Sequence, residues 1–336
     1  MRKSDPRHIV SYLSPLFSLR KLIRTSNQKF VFPFYHAVNN NPGPHLRHLY
    51  PIKTVKAFIE DLEILLQHFS PLSPSDLFNI EKCPAKPGFL ISFDDGLKEA
   101  YEFIAPQLKK RGIPAIFFLN NNFIDNRDLF YRYKVSLLIE KIESNGMKKG
   151  ILQHISKKTK KRIASKHHFK RFLLALQFHE KGMIDSLCEM FEVDVDDFLK
   201  REKPYLTGPQ ILDLKKEGFY FGAHSFEHPE FHHLDPKNQK EEVMKSTQDI
   251  RKRFDLDYSF FSFPFSDYGI SPEVLQSIHS GPGFKQGATF GTGGMKSFQS
   301  FPHFQRLSME KYQGNSERIL ITEYLYFKLK KLLAKH

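Results

Sequence analysis

Two short stretches place chemically competent side chains at close spacing. Asp94-Asp95-Gly96 sets two adjacent carboxylates directly after the apolar run Gly88–Phe93, and His224-Ser225-Phe226-Glu227-His228 sets two imidazoles after the run Phe219–Ala223. Adjacent carboxylates leaving a strand point in different directions, so one can bind a cation while the other handles protons, and Gly96 allows the tight turn away. Two imidazoles separated by three residues can converge on one metal from a turn. Asp95, His224 and His228 then form a candidate set for one divalent ion. Zn²⁺ suits it best, and mixed nitrogen and oxygen ligation also admits Co²⁺, Ni²⁺ or Fe²⁺. Each motif also has a bland alternative: Asp95 capping the next helix, or a surface histidine pair in a chain with 16 His.

These residues act together only if the chain brings its strand ends to one place. The pattern supplies that. Phe30–Tyr35, Gly88–Phe93, Ala115–Leu119, Phe219–Ala223, Tyr258–Phe263 and Gln286–Phe290 read as buried strands. Between them lie helical patterns at Thr54–Phe69, Leu97–Arg111 (with a kink expected at Pro106), Gly208–Lys216, Pro236–Phe254 and Pro272–Ser280. Alternating βα units predict an α/β fold with a parallel sheet, a barrel being one solution, and such folds build sites at the carboxyl ends of strands. Between Asn126 and Pro204 the alternation stops, so residues 127–204 read as a Lys-rich helical insertion. The expected organisation is a basic N-terminal arm over 1–29, a barrel over 30–310 carrying that insertion, and an amphipathic basic C-terminal helix over 311–336.

The motifs also carry a resemblance. Phe89-Leu-Ile-Ser-Phe-Asp-Asp-Gly96, Gly222-Ala-His-Ser-Phe-Glu-His-Pro229 and Phe261-Ser-Phe-Pro-Phe265 resemble, in order, three signatures of the polysaccharide deacetylase (NodB-homology) family. Tyr35-His36 and Arg111-Gly-Ile-Pro-Ala-Ile-Phe-Phe118 add flanking similarity over roughly residues 30–310. The resemblance implies a distorted (β/α)7 barrel that hydrolyses an N-acetyl amide on an amino sugar or glycan. It implies Asp94 as the general base acting on the attacking water and Asp95, His224 and His228 as metal ligands. The backbone N–H of Phe265, where the family has Tyr, is implied as an oxyanion donor. Such chemistry also needs a general acid for the leaving amine, typically His.

The chain departs from the family pattern in three places. Ser262 stands where an Arg commonly tethers the base, no Trp exists to form the bracing Asp-Trp motif, and no Leu-x-His signature supplies the acid. Arg306 is the candidate substitute brace, and His303 or His36 the candidate acid. These departures keep open a degenerate deacetylase that binds metal and glycan without efficient turnover.

Composition bounds the remaining classes. Lys and Arg number 51 against 37 Asp and Glu, a formal net charge of +14. The excess sits in residues 1–29, with seven basic residues and one acid, and in 141–171, with eleven basic residues and only Glu143. The rest is near neutral, so no nucleic-acid partner is expected. Peripheral contact with an anionic membrane surface stays open, although a solvated charge run is the plainer reading of the insertion. Cys83 and Cys188 read as unpaired thiols. The expected location is cytoplasmic, at most peripheral to the inner membrane face, since Asp5-Pro6-Arg7-His8 interrupts any signal-peptide pattern and no apolar run approaches membrane-spanning length.

Overall fold

The computed structural model describes residues 6–78, 86–146, 150–159, 161–296, 302–310 and 315–333. Eight strand segments form one parallel sheet: β1 (Pro33–Tyr35), β2 (Ile91–Phe93), β3 (Ala115–Leu119), β4 (Tyr220–Ala223), β5 (Ser259–Ser262), β6 (Gly287–Gly291), β7 (His303–Gln305) and β8 (Leu307–Ser308). Their spatial order is β7-β6-β5-β4-β3-β2-β1-β8. The two edges, β7 and β8, are separated in sequence by Arg306 alone. One extended segment therefore pairs with β6 on one side and β1 on the other, and the sheet closes into a seven-stranded (β/α) barrel.

Closure buries both faces of the strands, which explains their continuous apolar runs. Alternate residues point in: Ile116, Phe118, Phe260, Phe290 and Phe304 fill the barrel with Phe32 and Leu90. Their neighbours point out: Phe93, Phe117, Phe221 and Phe261 pack against the helices. Gly222 makes room for this filling, because a Cβ there would lie 2.7 Å from the Phe118 ring and from the Phe260 carbonyl.

Three elements differ from the sequence reading. Phe30–Tyr35 breaks at Phe32, so Phe30–Val31 joins Gly88–Phe89 in a separate small sheet while Pro33–Tyr35 stays in the barrel. Pro33 has no N–H with which to continue a ladder. Gly88–Phe93 breaks at Leu90 in the same register. The helix expected over Leu97–Arg111 opens with a wide π turn, Ala100–Ile104, and continues as an α-helix over Ala105–Lys110 with Pro106 in its first turn. The wide turn accommodates a residue that can neither donate a bond nor tolerate the preceding carbonyl.

The basic arm is not loose. It forms helices α1 (Arg7–Leu13) and α2 (Leu19–Ser26), which pack on the C-terminal helix Ser316–Leu333. That helix buries Leu320, Tyr324 and Phe327, while Leu332 is exposed. No helix among the described residues is long and apolar enough to cross a membrane. Cys188 is buried, and burial pushes its thiol up to about 12; Cys83 lies outside the described residues.

Candidate active site and metal centre

The inward alternation of the strands continues past their ends. Ser92 and then Asp94 point into the barrel from β2, and His224 follows Gly222 from β4. The chain then turns sharply, with φ of 71° at Asp95 and 62° at Gly96. Ser225, His228 and Phe265 also hold positive φ, at 68°, 62° and 56°. Apart from Gly, such angles are uncommon, and for Phe they are costly. Strain of this kind persists where surrounding contacts impose it, and here it gathers around one cluster.

Asp95, His224 and His228 are all buried, and their candidate ligand atoms lie within 4.8 Å of one another. Asp95 Oδ1 is 3.6 Å from His224 Nε2 and 3.4 Å from His228 Nε2, yet has no hydrogen-bond partner. An unpartnered buried carboxylate oxygen is expensive, and a divalent cation held by these three residues would satisfy it. His224 Nδ1 lies 2.8 Å from the Ser262 carbonyl, which can only accept. Nδ1 therefore carries the proton, and the Nε2 lone pair faces Asp95. Burial lowers the His224 pKa to about 4, outweighing the nearby Asp94, so the ring is neutral and ready to ligate. Burial also opposes ionisation of Asp95, but the His228, His36 and His224 rings together more than offset this and hold the carboxyl below its ordinary range. The donor set fits a divalent ion.

Asp94 is held by Arg306. Nη1 donates to Oδ1 at 2.7 Å and Nη2 to Oδ2 at 2.8 Å, a bidentate pair with both side chains fully buried. The same guanidinium donates to the hydroxyls of Ser92 and Ser262 and lies 4.4 Å from the centre of the Phe34 ring. Burial opposes the charge on Asp94, and Arg306, with His224 and His36, more than offsets it, lowering the carboxyl pKa. The tether absent at Ser262 thus reaches the same carboxylate from the closing strand, and Ser262 takes part as an acceptor.

The two candidate acids are placed differently. His303 points away from the cluster. Its Nδ1 meets Thr289 Oγ1 at 2.9 Å and its Nε2 meets Asp267 Oδ2 at 3.1 Å, so it braces the loop after β5 that carries Phe265. The reason is register: His303 pairs with Thr289, and Thr289 with Phe261, whose ring packs outside the barrel. His36 directly follows Tyr35, which pairs with Phe93, so it stands beside Asp94 at the barrel's mouth. Glu310 holds it, accepting from the His36 and Ala37 backbone N–H groups through Oε1 and meeting Nδ1 at 2.6 Å through Oε2. Burial disfavours the charged ring, but Glu310 overrides it and raises the pKa to about 9.

The insertion is part of the site rather than a solvated run. Its first helix, Tyr131–Asn145, brings the Tyr133 hydroxyl to Asp95 Oδ2 at 2.7 Å, and the Phe130 ring lies 4.3 Å from that of His228. Glu230, two residues past His228, accepts from the Tyr131 hydroxyl and the Phe178 backbone N–H, and Lys181 pairs with Glu227. Part of its basic charge is paired internally, Lys134 with Asp185 and Lys170 with Glu143. Tyr133, Glu310 and Ser92 were not legible as site residues. Two of them had a positional signal: Ser92 shares the strand face of Asp94 two residues on, and Glu310 lies just past a strand end.

Two outcomes follow from this geometry. Arg306→Met leaves a buried carboxylate unpaired and is expected to cost about 3–5 kcal/mol, read from the urea midpoint. In the wild type, the lowered Asp94 pKa contributes stability that is lost as pH falls below about 4. In the variant the unpaired carboxyl favours its proton, so stability relative to wild type recovers as pH falls. Tyr133→Phe frees Asp95 Oδ2 and is expected to weaken Zn²⁺ binding by about 10–100-fold in calorimetric titration, with His224→Ala as the non-binding reference.

No curated protein matches the chain. The family model described as polysaccharide deacetylase matches residues 81–165 and 193–280, together half of the chain. Among solved structures, the deacetylase PplD of Streptococcus pyogenes, in complex with acetate, is 16% identical with a TM-score of 0.55, over 88% of this chain and 98% of that one. IcaB from Ammonifex degensii is 14% identical (TM-score 0.53; 89% and 97% covered), and a de-N-acetylase from Aggregatibacter actinomycetemcomitans is 12% identical (0.53; 86% and 97%). At these identities the structures establish likeness of fold, the closed (β/α) barrel. The family match is made on the sequence itself, and it shows that the chain belongs to the polysaccharide deacetylase family, hydrolases that remove N-acetyl groups from carbohydrates.

Proposed function

We propose that the protein hydrolyses an N-acetyl amide on an amino sugar or glycan with one divalent metal, zinc foremost, held by Asp95, His224 and His228. The observation that carries this reading is the unpartnered Asp95 Oδ1 facing two imidazole Nε2 atoms, with Asp94 next to it and tethered separately. When bound, such an ion lowers the pKa of a water and polarises the amide carbonyl.

The chain's own groups supply the rest. Asp94, ionised and fixed by Arg306, accepts the proton of the attacking water. Asp95 has both oxygens committed, one to Tyr133 and one to the ligand cluster, so the two carboxylates divide the labour by what holds them. Phe265, forced into the left-handed region at the end of β5, presents its backbone N–H as an oxyanion donor. His36, charged at neutral pH and supported by Glu310, gives its proton to the leaving amine. The Phe265 ring, 4.5 Å from His228 and partly exposed, covers the cluster and lines the approach for the sugar.

A binding-only protein on this fold was motivated by a missing tether, a missing Trp brace and a missing acid. The bidentate Arg306–Asp94 pair and the Glu310-supported His36 offer groups for the tether and the acid, which favours turnover. Acetate release from N-acetylated oligosaccharides, measured with Zn²⁺ or Co²⁺, is expected to vanish in Asp94→Asn while metal affinity persists. His36→Gln is expected to lower kcat by about 10²–10⁴-fold. In the wild type kcat should decline on the alkaline side as pH rises through about 9, where His36 loses its proton, and this limb should be absent in His36→Gln. Unchanged kcat in His36→Gln, with loss in His303→Ala, would reassign the acid.

A further inference from the structure

The N-terminal helix is built inside out. In α1 and the turn that follows, Val10, Ser11 and Ser14 face the domain, and both serine hydroxyls bond carbonyls of their own helix. The solvent side holds the large apolar residues: Ile9 and Tyr12 are 70% exposed, Leu16 78%, and Leu13 and Phe17 are nearly half exposed. A surface helix of a soluble domain normally has the opposite arrangement. Five such side chains within nine consecutive residues make a patch of the kind that marks an interaction surface.

The charges beside it select the partner. Arg20, Lys21 and Arg24 are exposed on the next helix, α2, and Arg20 and Arg24 line a cleft with Lys29 and Lys86. Burial lowers the pKa of His68 beside this cleft; Glu317 opposes that, and Lys86 and Arg20 both add to the lowering. No acidic residue occurs between Pro6 and Ile59. A second copy of this chain would bring two cationic rims together, whereas an anionic bilayer neutralises the rim while accepting the apolar side chains. We infer that the α1–α2 face is a docking surface for anionic phospholipid bilayers, with Ile9, Tyr12, Leu16 and Phe17 entering the interface and Arg20, Lys21 and Arg24 engaging the headgroups.

This inference is independent of the proposed chemistry. The basic cleft opens where Phe30–Val31 and Gly88–Phe89 begin, at the amino ends of the strands, opposite the mouth that holds Asp94 and His36. Docking there leaves the mouth free to meet a glycan.

The test is sedimentation of the full chain with vesicles of phosphatidylcholine alone or mixed with phosphatidylglycerol, at low and high salt. Binding is expected on the mixed vesicles only, falling steeply with salt. Ile9→Ser combined with Leu16→Ser should weaken partition at least about tenfold. Arg20→Gln and Arg24→Gln should each weaken it about fivefold. Zn²⁺ affinity should be unchanged in all of them, showing an intact fold. Absence of binding, equal binding to neutral vesicles, or binding insensitive to these variants overturns the proposal. Self-association in sedimentation velocity that Ile9→Ser and Leu16→Ser abolish, without vesicle binding, assigns the face to a second copy instead.

Discussion

A single buried ion pair ties the barrel's closure to its chemistry. Arg306 occupies the one position between the two edges of the sheet, and its guanidinium crosses the interior to Asp94. Taking two charges out of water costs several kcal/mol apiece unless every donor finds a partner. Here each does: Asp94 takes two, Ser92 and Ser262 take one each, and Nε–H reaches the Gly291 carbonyl at 3.3 Å. Three strands contribute acceptors, or the residue that follows them, and the closing segment contributes the donor, so the arrangement exists only when β2, β5, β6 and the closing segment are in register. The pair is a poor way to gain stability and a good way to specify one closure.

The same constraint explains how two neighbouring carboxylates acquire different duties. Asp94 continues the inward alternation of β2 and meets the guanidinium. The positive φ at Asp95 turns the next side chain out of that line toward the imidazoles. Backbone strain here separates two identical groups into two environments, and the insertion keeps it in place from outside through Tyr133 and the Phe130 ring. The inserted helices bury a core of their own, including Leu138, Phe169, Ile184 and Phe198, which makes this clamp stiff rather than a loose cover.

Much of this was legible in the sequence, and what was not has a common cause. Six of the strands, and the placing of Asp94, Asp95, His224 and His228 at strand ends, follow from period, turn residues and motif spacing, which are local properties. The closing segment, residues 303–308, is not among the strands read from the pattern, and closure was implied only by the family resemblance. Arg306 was readable as a substitute brace for Asp94 only by elimination, from the missing Arg at Ser262, because its contact spans 212 residues to Asp94. Tyr133 reaches Asp95 from an insertion whose composition looks like a solvated surface; its charge is real, but it covers a buried apolar core. His303 misled for the opposite reason. It lies in a strand close to the site, yet residue parity sends it to the outer face, where it serves Asp267. The arm also read as charge alone, since the count ignores which side of α1 its apolar residues occupy.

Parity and partners together make the acid and base assignments coherent. Amide hydrolysis needs one group that stays unprotonated while it waits for water and another that stays protonated until the amine leaves. Sites reveal such assignments where environments push two pKa values apart. Asp94 and His36 sit at adjacent strand ends, yet one is paired with a guanidinium and the other with a carboxylate. Arg306 lowers the first and Glu310 raises the second. The separation has a cost on each side. A carboxylate made more acidic is a weaker base, and an imidazolium made more basic is a weaker acid. In the proposed roles both would need the attacking water and the leaving nitrogen to be polarised by something else, and the neutral His224 and the unsatisfied Asp95 oxygen mark where the proposed cation would supply it.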